Sequence, residues 1–127
     1  NRFLIEHVVP RCYLLKTRMW DLNNLLLVDK DLNNLRSNTK CGKKSIPNVS
    51  FYPSNPESRG VVARICAHML YTCPNIDPQK IIARKLICEW NKNYPVTDLE
   101  KHTNERICMY QGIYNRFIED PDRFITD

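Results

Sequence analysis

The residues of this 127-residue chain with the most chemistry to offer are six cysteines and three histidines. The cysteines are Cys12, Cys41, Cys66, Cys73, Cys88 and Cys108. No two of them have the Cys-x-x-Cys spacing of a zinc knuckle or a redox dithiol, and no pair of histidines accompanies a pair of cysteines. Neither a structural zinc nor a thiol redox centre is therefore expected. An even, high count in a small domain reads instead as three disulfides, hence an oxidising compartment. Each bridge would add about 2–4 kcal/mol, largely by restricting the unfolded chain. The histidines are His7, His68 and His102. His68 lies two residues from Cys66, and on a helix that separation points the side chains to different faces, so a Cys–His nucleophile pair is not expected. No Gly-rich phosphate loop is present. With no catalytic, metal or cofactor set in view, the chain reads as a non-enzyme.

The remaining polar signals concern binding. Lys40, Lys43 and Lys44 form the one tight basic cluster of a chain whose formal net charge is +5. Asp21-Leu22-Asn23-Asn24-Leu25 recurs as Asp31-Leu32-Asn33-Asn34-Leu35, which would place Asn23, Asn24, Asn33 and Asn34 as a polar ladder on one helix face. The lysines and these asparagines are the candidate partner contacts. Asn48-Val49-Ser50 is an N-glycosylation acceptor in a polar stretch. Basic residues are otherwise spread out, without the basic stripe and interleaved aromatics of a nucleic-acid binder, so no nucleic-acid partner is expected. An acidic receptor or a sulfated glycan fits the charge better.

Four helices are predicted to position these groups. In the first, Val8, Cys12, Leu15, Met19, Leu22 and Leu26 recur at steps of four and three, with Leu25, Val28, Leu32 and Leu35 continuing the stripe. Pro10 belongs in its first turn, so the helix runs from about Val9 to Leu35, a length of about 40 Å. Residues 36–56 are the one long connection, which Cys41 would tie down. The second helix opens with Asn55 as cap and Pro56 at the first position and stops at Pro74. The third opens on Asp77-Pro78 and ends before Pro95. The fourth runs from the Thr97–Glu100 capping box to Asp120-Pro121, with Leu99, Ile107, Tyr110, Tyr114 and Phe117 as its stripe. Folding the second and third helices back to back brings Cys66 near Cys88, the one pairing that helical geometry favours.

The expected fold is thus all-α: a disulfide-stabilised, four-helix bundle-like domain over residues 1–127, with one long first connection. No apolar run approaches the roughly 18 residues of a membrane span. A chain that begins at Asn1 without Met fits a cleaved precursor or an excised ectodomain. The expected function is an extracellular protein-recognition module, either a secreted ligand or the ectodomain of a surface protein, that binds a protein receptor. The alternative is a secreted helical carrier of a small apolar ligand or lipid, its pocket lined by Met19, Trp20, Met69, Trp90 and Met109.

Overall fold

The computed structural model describes residues 3–29, 39–46, 50–53 and 55–123. Its N-terminal part is not a helix. Strand β1 (Phe3–His7) pairs antiparallel with β2 (Leu25–Asp29), with His7 opposite Leu25 and Glu6 opposite Leu26. The chain between them makes three single 3-10 turns, Arg11–Tyr13, Lys16–Arg18 and Leu22–Asn24. Three local features explain why the helical spacing fails. Pro10 pushes Val9 into extended backbone. Asn23 and Asn24 use their side chains on nearby backbone groups, which competes with helical bonding. Leu25-Leu26-Leu27-Val28 is an unbroken apolar run that suits a strand as well as a helix. The described residues are thus mainly helical with two small two-stranded sheets, and a short hairpin stands where the first helix was expected. The expected helix beyond Asp29, with Asn33 and Asn34, lies outside the described residues.

In the connection that follows, β3 (Lys40–Cys41) pairs in parallel with β4 (Ser50–Phe51). A bridge from Cys41 to Ile82 ties this small sheet to the helical half. Helix α1 (Pro56–Thr72) begins where its signals place it: Asn55 Oδ1 accepts from Glu57 N at 3.1 Å. Asp77-Pro78 does cap a turn, but a 3-10 turn of three residues, Pro78–Lys80. Helix α2 (Arg84–Asn93) starts only after it. Helix α3 (Asp98–Gln111) is capped by Thr97, whose Oγ1 accepts from Glu100 N at 3.2 Å. It stops at Gly112, whose φ of 77° only a residue without Cβ adopts cheaply. A separate turn of helix, α4 (Arg116–Glu119), follows from its own Asn115 cap. The predicted continuous fourth helix is thus two pieces, and Leu99, Tyr110 and Tyr114 from its supposed apolar stripe face solvent.

The core lies between α1 and α2. Ile65, Cys66 and Met69 from α1 pack with Ile81, Ile82, Leu86, Ile87 and Trp90, joined by Val8, Val9 and Phe117. No disulfide forms: none of the six cysteines is bridged. Cys41, Cys66 and Cys73 are buried and serve as small apolar side chains, while Cys12 is exposed. The disulfide-stabilised bundle and its Cys66–Cys88 link are accordingly corrected. The work of stapling is done by polar side chains instead. Arg64, 1% exposed, binds Glu100 with two parallel bonds of 2.7 Å and also donates to Asn91 Oδ1 at 3.1 Å and to the Tyr94 carbonyl at 2.9 Å. This one guanidinium joins α1, α2 and α3. Gly60 makes room for it, because a Cβ there would meet the Tyr94 carbonyl and lie 2.7 Å from Arg64 Nη2. Asn115 closes the set: its N–H donates to Asn104 Oδ1 at 2.8 Å and its Nδ2 to the Arg64 carbonyl at 3.0 Å.

Removing one partner of a buried ion pair leaves an uncompensated charge. Arg64→Met is expected to cost about 3–5 kcal/mol, read as a fall in the urea midpoint. Adding Glu100→Leu to that variant should recover most of the loss, which a purely steric role for Arg64 would not allow.

Candidate functional site

The hairpin is fastened to the helical half by the turn at residues 21–24. Asp21 is fully buried. Its Oδ2 accepts from His68 Nε2 of α1 at 2.9 Å, and its Oδ1 accepts from Gln111 Nε2 of α3 at 2.8 Å and from Asn23 N at 2.9 Å. Gln111 returns a bond by accepting from Leu22 N at 3.0 Å. Asn23 Nδ2 donates to the Ile113 carbonyl at 3.0 Å. Burial works against the Asp21 charge and pushes its carboxyl pKa up. The hydrogen bonds from His68, Gln111 and Asn23, with the positive charge of the His68 ring, outweigh burial and bring the pKa down to about 2.

The same turn fixes the chain just after β1. Asn24 Oδ1 accepts from Val9 N at 2.8 Å while its Nδ2 donates to the Val9 carbonyl at 3.0 Å. The backbone adds Val8 N to the Asn24 carbonyl at 2.8 Å. Three bonds therefore hold Val8 and Val9, and through them the end of β1. His7 is the last residue of that strand, half-buried, with its Nε2 2.9 Å from the Met19 carbonyl. A carbonyl only accepts, so Nε2 is the donor in this bond. Glu6 precedes it in the strand. Exposed Arg11 and Lys16, and half-buried Arg18, lie on the turns that follow.

The other expected contacts are scattered or inward. Asn23 and Asn24 are buried structural residues, not a ladder offered to a partner. Lys40, Lys43 and Lys44 are exposed, and Lys43 pairs with Glu89 at 3.3 Å on the surface. Asn33, Asn34 and Asn48 lie outside the described residues. His68 is 1% exposed and committed to Asp21, and His102 is exposed on α3. Among the described residues no three His, Cys, Asp or Glu side chains converge as a metal-binding group. Of the supposed carrier pocket, Met69 and Trp90 are buried in the core, while Trp20 and Met109 are exposed. A shallow groove of about 240 Å³ between the hairpin and α3 is lined by Leu25, Leu26, Val61, Leu99 and Ile107.

A family model for Endonuclease I matches residues 57–122, just over half of the chain. The chain belongs to the Endonuclease I family. The matched stretch runs from the first turn of α1 to just beyond α4, and it carries the anchors His68 and Gln111. Comparison with curated proteins gives no match. Membership of Endonuclease I overturns the extracellular recognition module, its receptor-ligand role and the apolar-ligand carrier. It also overturns the expectations that the chain is not an enzyme and has no nucleic-acid partner. The signal missed in the sequence was local. Pro10 and Asp21-x-Asn23-Asn24 are turn chemistry, and reading them as such would have placed His7 at a strand end rather than before a helix.

The unfolded Asp21 carboxyl titrates near 3.8 and the folded one near 2, so the charged form stabilises the fold above about pH 4. That contribution, about 2 kcal/mol, fades as pH falls from about 4 to about 2. Urea midpoints taken across this range should drop more steeply for the natural chain than for Asp21→Asn.

Proposed function

We propose that this chain hydrolyses phosphodiester bonds in nucleic acid, with His7 taking the proton from the attacking water. Family membership supports the reaction class, and the setting of His7 supports the residue. Of the three histidines, His68 is sealed in the interior and His102 stands on the outer surface of α3. His7 is half-buried and fixed at two points, through the strand ladder and through its ring to Met19. A general base needs a fixed position and a side chain that can take up a proton, and an imidazole held at both its backbone and its ring meets both needs. As the water oxygen bonds to phosphorus, its proton passes to His7 and the bond from phosphorus to the leaving sugar oxygen breaks. Arg11, Lys16 and Arg18, on the turns that follow, supply positive charge for the phosphate, whose negative charge is the main handle on any nucleic acid.

Asn24 is a positioning residue in this reading. It does not reach the substrate, but it clamps the backbone two residues after His7.

The single observation that carries the reading is the ring of His7 locked onto the Met19 carbonyl in a nuclease-family chain. Loss of a general base costs about 10²–10⁴-fold. His7→Ala is expected to lower the cleavage rate of plasmid and oligonucleotide substrates by that factor, with a divalent cation supplied, while its urea midpoint stays close to that of the natural chain. Full activity in His7→Ala would remove His7 from the reaction. Absence of cleavage by the natural chain on both substrates would remove the reaction itself.

A further inference from the structure

Arg116 differs from the exposed lysines of this surface. It opens α4 and is half-buried. Its guanidinium lies over the ring of Tyr71 in α1, 4.5 Å from the ring centre. The same ring meets buried Phe117 edge-on at 6.0 Å. The backbone beneath Arg116 is fixed as well. Asn115 is fully buried, is bonded to Asn104 and to the Arg64 carbonyl, and caps Phe117 N through its Oδ1 at 2.9 Å. Arg116 is thus held at its backbone and at its head, yet its side-chain N–H groups are unused. Among the described residues no carboxylate pairs with it and no acceptor bonds it. Glu119, one turn on in α4, is exposed and does not pair with it. Arg59 makes the contrast. It stacks over Tyr52 at 4.0 Å, but it donates to the Pro53 carbonyl at 2.8 Å and to the Tyr94 hydroxyl at 3.0 Å.

A guanidinium presents its donors as a planar fork that matches two oxygens of one phosphate. Laying the fork on a ring leaves that edge open and removes much of the ordering cost of binding. We infer that Arg116, held flat on Tyr71, clamps a phosphate of the bound nucleic-acid strand. The inference rests on the nuclease reading for its partner class. It adds a contact that sets the register of the strand without entering the reaction. Tyr71 is the positioning residue of the pair, and at 57% exposed it leaves the pair reachable from solvent. Contacts to phosphate fix position and carry no base preference, so the clamp serves any sequence.

The test is binding of a short labelled phosphorothioate oligonucleotide, which resists cleavage, followed by fluorescence anisotropy over a range of salt. Arg116→Gln is expected to weaken binding about 10- to 100-fold and to flatten the slope of log affinity against log salt by about 1. Tyr71→Ala should weaken binding about 2- to 5-fold, while Tyr71→Phe, which keeps the ring, should bind as the natural chain does. Tyr71→Ala combined with Arg116→Gln should bind no worse than Arg116→Gln alone, because the ring acts only through the cation. Lys92→Gln removes an exposed charge from α2 and should change affinity far less. In cleavage assays Arg116→Gln should raise KM and leave kcat close to that of the natural chain, with the urea midpoint little moved. An equal loss of binding in Lys92→Gln would make the effect one of net charge and overturn the clamp. So would unaltered binding in Arg116→Gln, or a loss that comes only with a fall in its urea midpoint. Binding that depends on Arg116 without any cleavage would leave the clamp standing and remove only the nuclease reading. Cleavage by a chain whose binding ignores Arg116 would do the reverse.

Discussion

One buried carboxylate holds the two halves of this molecule together. Asp21 receives bonds from α1, from α3 and from its own turn, and each donor lies in a different part of the chain. A charge in the interior is tolerated only when its lone pairs are filled, so the geometry of all three neighbours is set by the need to satisfy it. That constraint explains why the 21–24 turn is buried although it is built from Asp and Asn, residues that ordinarily face water.

The helical half repeats the device with the signs exchanged. Arg64 is the buried cation, and Glu100, Asn91 and the Tyr94 carbonyl are its acceptors. Asn104 and Asn115 bond each other and return to the backbone at Arg64. A domain of this size has a thin apolar core. Directional polar links compensate by allowing one arrangement of the helices and no sliding between them. Cysteines have no such task here. Cys66 and Cys73 pack beside Met69 and Ile76 as ordinary apolar side chains.

Much of the second half could be read from the residues alone. Asn55-Pro56 and Thr97–Glu100 cap the helices they were expected to cap, while Asp77-Pro78, expected to open a helix, caps a 3-10 turn, because capping is decided within three or four residues. What followed each cap was less legible. Gly112 ends α3 ten residues before the Pro121 stop, since a single residue at positive φ outweighs an apolar periodicity that never becomes buried. The N-terminal half misled for a related reason. Leu15, Leu22 and Leu26 satisfy a helical period, yet Pro10 and the paired asparagines bias the backbone against it, and hairpin pairing across some twenty residues leaves no local mark. Nothing about a lone His7 in an apolar strand distinguishes it in sequence. Its fixed position comes from the Met19 carbonyl and the Asn24 clamp, both of which depend on the tertiary turn.

The contacts from Leu22 and Asn23 to Gln111 and Ile113 span about ninety residues of chain. Ribosomal synthesis delivers residues in order, so the hairpin emerges long before the side chains that anchor it. The helical half, rich in short-range contacts, can settle as it appears, whereas the N-terminal hairpin must wait for the last helices. A nascent chain therefore carries the 21–24 turn unanchored until Gln111 and Ile113 have been made, and a chain truncated before Gln111 would lack the bonds that hold the turn to α3. The last part of the fold to set is thus the first part of the chain to be made.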